Sequence, residues 1–382
     1  MIKLVTVIGA RPQFIKAAAI SRAVNTSFSD EIEEIIVHTG QHYDSSMSNV
    51  FFNELQIPKE KYNLNIGSGS HALQTANMMI EIEKVVLEEK PDAILLYGDT
   101  NSTLSACLVA IKLHIPIIHV EAGVRGYNKR FPEEVNRLVC DHMSSLLFVP
   151  SIAGIKSLEI EGLKHKKNGD VISLDNPGVF HCGDIMYDNT LFYKEKIKNR
   201  LDSIFSKYDL PKENYILTTM HRPSNVDQNE TLESILKALN QLIDSHGKTI
   251  VLPLHPRTKN RLDNQPELGP LLNNERLRII PPVSFLEMIE LEENSDLVIT
   301  DSGGVQKEAY FLKKPCLIML DETPWIELLE SGNAILTGSD YNKIVNGANE
   351  FLKKGRLYEF MDMYGDGKAS EFICQEIIKA FN

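Results

Sequence analysis

The stretch IPIIHVEAGVRGYNKRFPEEVNR, residues 115–137, joins three kinds of chain in a fixed order. Ile115–Val120 is a short apolar, β-branched run and reads as a buried strand. A glycine-containing turn follows, and Pro132 with Glu133 and Glu134 opens a helix, where proline and acids suit the unsatisfied N–H groups and the dipole of a first turn. Strand, turn and helix in succession are the repeating unit of a parallel α/β protein. Glu121 falls at the carboxyl end of the buried strand, and a carboxylate there is costly unless it is paired, hydrogen-bonded or used.

The same rhythm runs in both directions from this stretch. Apolar runs recur at Leu4–Ile8, Ile35–His38, Ala93–Tyr97 and Leu146–Val149, then at Tyr215–Thr219, Thr249–Pro253, Leu297–Thr300, Pro315–Met319 and Ala334–Leu336. Segments with helical spacing lie between them, among them Leu73–Glu89, Ser102–Lys112, Leu232–Ile243 and Phe285–Glu293. Continuously apolar strands alternating with helices predict parallel sheets covered on both faces. The rhythm breaks in LKHKKNGDVISLDNPGV, residues 163–179, which is polar and turn-rich. The expected fold is therefore α/β, with two Rossmann-like doubly wound domains at 1–170 and 180–364 facing a central cleft. The amphipathic end, residues 365–382, is expected to pack back on the first domain. Ligands of such sheets bind beyond the carboxyl ends of the strands.

Composition narrows the function classes. The chain has 382 residues, 43% of them hydrophobic and 24% charged, with a net charge of −12 and a pI near 5.5. That balance argues against nucleic acid or an anionic membrane surface as a partner, so an anionic ligand needs a local basic pocket. The five cysteines, Cys107, Cys140, Cys182, Cys316 and Cys374, show neither disulfide nor zinc spacing. No apolar run reaches the roughly 18 residues of a membrane span. A reduced, cytoplasmic protein without a metal is the expectation.

The strand ends carry the chemistry. After the first strand, GARPQFIKA places Arg11 and Lys16 at a helix start, two cations suited to an anion. It matches neither the dinucleotide nor the nucleoside-triphosphate glycine motif, which counts against a dehydrogenase or a kinase. GQHYDSSMS after the second strand adds Gln41 and His42. Asp99 follows the third strand and Glu121 the fourth, so both lie on one rim. With Glu133 they would form a group of carboxylates whose mutual repulsion spreads their pKa values, as acid–base work requires. In the second domain, TTMHRPSN and LPLHPRT put His221, Arg222, His255 and Arg257 at successive strand ends. TDSGGVQKEAYF follows an apolar strand and opens a helix, so Ser302, Gly303 and Gly304 could bring backbone N–H groups close to a phosphate, with Glu308 in reach of a sugar diol.

Seven stretches, GARPQFIKA, HTGQHYDSSM, YGDTNSTLSA, HVEAGVRGYNKRFPEEVNR, MHRPSN, LPLHPRT and TDSGGVQKEA, occur in the order and spacing of the non-hydrolysing UDP-N-acetylglucosamine 2-epimerases. The resemblance covers Lys3 to about Leu336. It implies a glycosyltransferase-B-like fold, a homodimer and no cofactor. It also implies inversion at C2 of a UDP-linked 2-acetamido sugar, by elimination of UDP and its readdition. Carried onto this chain, it makes Asp99, Glu121 and Glu133 the acid–base candidates and has Arg11, Lys16 and His221 neutralise the departing diphosphate. Ser302, Gly303 and Gly304 would then take the pyrophosphate and Glu308 the ribose. Gln41 and His42 match a region that binds a second UDP-sugar in some bacterial members, and Arg137, one turn beyond Glu133, is placed to orient it.

Two stretches depart from the commonest family pattern. GYNKRFPEE is basic before its two acids, and DETPWIEL stands where many members have Thr-Glu-Arg-Pro-Glu. With HCGDIMYD, they resemble the branch acting on UDP-2,3-diacetamido-2,3-dideoxyglucuronate, whose substrate carboxylate Lys129 or Arg130 could meet. Such a product serves surface polysaccharide synthesis. The alternatives are a glycosyltransferase of the same architecture and a hydrolysing 2-epimerase.

Overall fold

The computed structural model describes residues 1–40, 55, 57–164, 172–198, 203–254, 256–353 and 357–381. The chain divides into two compact units, residues 1–189 with 362–382 and residues 190–361.

The first unit is built on seven parallel strands: β1 (Ile2–Ile8), β2 (Ile32–His38), β3 (Tyr62–Asn63), β4 (Ala93–Tyr97), β5 (Ile117–Val120), β6 (Leu146–Val149) and β7 (Gly178–His181). Their order is β3-β2-β1-β4-β5-β6-β7. All residues of β4, β5 and β6 are buried, as strands covered on both faces must be. The register sets Val5 beside Ile35 and Ile94, and Ile118 beside Leu146. The helix His71–Glu89 turns Met78, Ile82, Val85 and Val86 onto this sheet, against Val5, Val7, Val37 and Leu96. Strand order reverses between β1 and β4, and such a reversal opens a crevice at the carboxyl ends of the two strands. Arg11, Lys16 and Asp99 follow these ends.

The second unit has six parallel strands: β8 (Tyr215–Thr219), β9 (Thr249–Pro253), β10 (Leu277–Ile280), β11 (Leu297–Thr300), β12 (Cys316–Ile318) and β13 (Ala334–Leu336), ordered β10-β9-β8-β11-β12-β13. The helix Asn229–His246 buries Leu232, Ile235, Leu236, Leu239, Leu242 and Ile243, the i, i+3, i+4, i+7 stripe of a helix lying on a sheet. Its reversal point lies between β8 and β11, where His221 and Ser302 emerge.

The division falls later than residues 170–180, because the end of the polar stretch enters the first sheet. Gly178–His181 pairs with Leu146–Val149 as an edge strand, and the helix Ile185–Ile197 carries the chain across at Asn189 and Thr190. The last helix, Ala369–Phe381, belongs to the first unit. Its start is held by Asp188, whose carboxylate accepts from the backbone N–H of Ala369 at 3.1 Å and of Ser370 at 2.7 Å.

Candidate active site

In the first unit the glycine at the end of β4 shapes the site. Gly98 has φ +62°, and a Cβ there would lie 3.0 Å from Lys16 Nζ and 3.6 Å from Glu121 Oε1. The left-handed turn and the missing side chain let both groups close over the backbone. Lys16 Nζ and Glu121 Oε1 pair at 2.6 Å with only about a tenth of either side chain exposed. Glu121 itself has φ +71°, a conformation that costs a non-glycine residue roughly 1–2 kcal/mol.

Asp99 follows directly. Its carboxylate accepts from Arg137 Nη1, and its backbone carbonyl accepts from Asn136 Nδ2 at 2.8 Å, so the helix Pro132–Met143 grips it twice. Burial raises the Asp99 carboxyl above its ordinary value; Arg137 and Lys16 pull it back, while Glu121 and Glu133 add to the rise. Two carboxylates thus stand at neighbouring strand ends, each paired with its own cation, and Asp99 is the one whose carboxyl burial raises.

The two acids at the helix start separate. Glu134 is buried and accepts from the backbone N–H of Gly126 and Tyr127 at 2.9 and 2.8 Å and from Arg137 Nη2 at 2.9 Å. Burial alone would raise its carboxyl, but these donors hold it below the ordinary range. Glu133 is exposed on the adjoining face, near enough to act on Asp99. Arg137 therefore orients Asp99 and Glu134, and the expectation that it orients Glu133 is corrected: at i, i+3 the guanidinium meets the inward acid of the pair.

Gln13, a residue not singled out from the sequence, fastens the turn. Its Oε1 accepts from Gly9 N at 2.8 Å and Ala10 N at 3.1 Å, and its Nε2 donates to Tyr97 O and Thr103 Oγ1, both at 3.0 Å. Arg11 begins the same helix, half-buried, and Lys129 and Arg130 are exposed in the loop after Glu121.

In the second unit a buried aspartate organises the rim. Asp301 accepts from the backbone N–H of His221 at 2.9 Å, of Arg222 at 2.9 Å and from Asn225 Nδ2 at 3.0 Å, and it meets His221 Nδ1 at 2.9 Å. Burial would raise its carboxyl, but His221 and these N–H groups hold it down. His221 is thus fixed in tautomer and direction, with half of its side chain exposed. Ser302 caps the helix Gly303–Phe311 by accepting from Val305 N, so Gly303 and Gly304 form the first turn. Glu308, one turn on, is buried beside the carboxyl of Glu292, which is fully enclosed. Gln41, His42 and His255 lie outside the described residues, as does the side chain of Arg257.

A family model described as UDP-N-acetylglucosamine 2-epimerase matches residues 25–378. The chain belongs to that family. It is 44% identical over 373 residues to a UDP-N-acetylglucosamine 2-epimerase homolog of Methanococcus maripaludis, a match covering 98% of each chain. It is 43% identical over 377 residues to the UDP-2,3-diacetamido-2,3-dideoxy-D-glucuronate 2-epimerase of Pseudomonas aeruginosa, covering 99% of each. Among solved structures, the Methanocaldococcus jannaschii UDP-GlcNAc 2-epimerase in complex with UDP-GlcNAc and UDP is similar at TM-score 0.85 and 39% identity, over 99% of this chain and all of that one. The likeness to this epimerase family runs past Leu336 to the last helix, beyond the motif-bearing region. The fold is that of a two-domain, Rossmann-like enzyme. Among the described residues, no helix is long and apolar enough to cross a membrane, and no cluster of metal-binding side chains is present.

Proposed function

We propose that this member of the epimerase family inverts C2 of a UDP-linked 2-acetamido sugar by elimination and readdition of UDP. The observation that carries the reading is the pairing at neighbouring strand ends of Lys16 with Glu121 and of Arg137 with Asp99. One carboxylate removes the C2 proton while the C1–O bond breaks, and its electron pair leaves on the UDP oxygen. The resulting 2-acetamidoglycal takes a proton at C2 on its other face, and the UDP oxygen returns to C1. Charge changes hands twice, so fixed cations beside both acids stabilise each crossing. Glu133, exposed beside Asp99, is the third acid–base group. Arg11 and His221 stabilise the departing diphosphate, the Ser302–Gly304 helix start binds it, and Glu308 takes the ribose. His255 and Arg257 add positive charge, and Gln41 with His42 form the second UDP-sugar contact. The reaction needs no cofactor.

The finer reading is a 2,3-diacetamido uronate sugar, made in the cytoplasm for surface polysaccharide. Exposed Lys129 and Arg130, close in sequence to Glu121, provide the charge for a substrate carboxylate, and the Pseudomonas aeruginosa relative is named for that sugar. A homodimer is supported by the helix His71–Glu89, whose Leu73, Ile80 and Leu87 are each more than half exposed at seven-residue spacing. Proton NMR in D2O with UDP-N-acetylglucosamine and, separately, the uronate sugar tests the reaction and the choice of sugar. Manno epimer carrying C2 deuterium is expected. Turnover of only the uncharged sugar would overturn the uronate reading, and exchange with neither would overturn the elimination.

A further inference from the structure

We propose that His119 is a positioning residue of the acid–base centre, a buried ring that ties together the three chain segments bearing Asp99, Glu121 and Arg137. The proposal rests on the acid–base reading above. His119 lies on β5 with no exposed surface. Its Nε2 is 2.8 Å from the carbonyl oxygen of Gly98, which can only accept, so that nitrogen carries a hydrogen. Its Nδ1 is 2.7 Å from Asp141 Oδ1. The other oxygen of Asp141 accepts from Gly123 N at 3.0 Å and meets Arg125 Nη1 at 2.7 Å. Arg125 in turn forks onto Glu161 at 2.7 and 2.8 Å. Burial alone would raise the Asp141 carboxyl, yet His119, Arg125 and the Gly123 N–H hold it below the usual carboxylate range.

Each end of this chain of bonds lands on a left-handed turn. Gly98, at φ +62°, precedes Asp99, while Glu121 at +71° and Gly123 at +77° form the turn after β5. Asp141 sits in the last turn of the helix Pro132–Met143, which also carries Arg137. Left-handed geometry at a glutamate persists only where its surroundings over-determine it. One ring bridging Gly98 to Asp141, and Asp141 bridging to Gly123, supplies that constraint. Because both nitrogens of His119 are engaged behind the turns, it acts through Asp99 and Glu121 and touches no reacting atom itself.

Two substitutions take the two bonds apart. In His119→Asn the amide nitrogen stands near the former Nδ1 and keeps the Asp141 bond; in His119→Gln it stands near Nε2 and keeps Gly98. Turnover, C2 deuterium incorporation, UDP affinity and thermal unfolding are measured for both, with Asp141→Asn as a third variant acting on the same chain of bonds. The expected result is a fall in kcat and in C2 exchange of about 10- to 100-fold, the effect of a misplacement below about 1 Å. KM and UDP affinity should hold within a few-fold. Folded variants with kcat near wild type would overturn the proposal, as would loss of UDP binding in step with kcat, the mark of general unfolding. If the wild-type protein exchanges no C2 hydrogen with either sugar, the acid–base reading fails and the proposal with it; wild-type exchange with unchanged variants sinks the proposal alone.

Discussion

Lys16 Nζ lies 2.6 Å from Glu121 Oε1, across the open face of Gly98, with about a tenth of each side chain exposed. A lysine on the first helix and a glutamate after the fifth strand, 105 residues apart, thus form one largely buried unit.

Replacing Lys16 by methionine keeps the stem and removes the charge. Breaking a buried pair from one side costs roughly 3 kcal/mol. Urea unfolding should show most of that loss, and kcat should fall about 100-fold, the scale of removing one preorganised charge from a transition state. Gly98→Ala should act in the same direction more weakly, because an added Cβ meets Lys16 Nζ at 3.0 Å and φ +62° is unfavourable for alanine. Full activity in Lys16→Met would sink the pairing as a functional device.

Arg137 is one of the cations that lower the Asp99 carboxyl against burial. In Arg137→Gln the upward effects of burial, Glu121 and Glu133 are less opposed, so Asp99 should hold its proton to higher pH. The acid limb of the kcat profile should therefore move to higher pH while the alkaline limb stays. A limb that stays in place would show that Asp99 does not govern it.

These pairs also show what the sequence could say. Asp99 and Glu121 could be placed at one rim because each lies at the end of an apolar run, and Lys16 because it lies about one turn into the helix after one, strand ends being where α/β sheets place ligands. Glu133 and Glu134 could not be told apart, since which of two adjacent acids faces inward depends on the helix phase set by packing. Asp301 accepts backbone N–H groups of a distant segment, and Gln13 links its own turn to the distant Tyr97 and Thr103, which no local spacing reveals. Strands Gly178–His181 and Leu277–Ile280 were missed for a related reason: an edge strand of four residues has too little apolar length to stand out beside polar neighbours. His119 had one signal, a polar ring inside an otherwise aliphatic strand.

Glu292 should oppose stability at neutral pH. It is fully buried, no donor among the described residues reaches either carboxyl oxygen, and Glu308 stands beside it, so its carboxyl is raised well above the ordinary value by burial and then by Glu308. The folded state keeps a proton that the unfolded chain releases near pH 4.3. Stability from this group is full below that pH and is lost as pH rises toward the folded value. Glu292→Gln removes the titration and leaves an amide able to donate to Glu308. Its melting temperature should exceed wild type at pH 7 by about 2–4 °C per kcal/mol relieved, with the gap closing toward pH 4. A pH-independent gap would contradict the assignment.

Ile80 tests the dimer. Leu73, Ile80 and Leu87 are 59%, 54% and 57% exposed on one helix, and their seven-residue spacing aligns them in a stripe. Exposed singly, such residues are ordinary; aligned, they form a seam that two antiparallel copies can share, Ile80 against Ile80 and Leu73 against Leu87, as two-fold symmetry requires. Ile80→Glu sets two carboxylates against each other at that axis. Sedimentation velocity should then show monomer where the wild-type protein sediments as dimer. The substitution is on an exposed face, so the variant should melt as one folded species. A dimer that survives Ile80→Glu at micromolar concentration would move the interface to another surface of the chain.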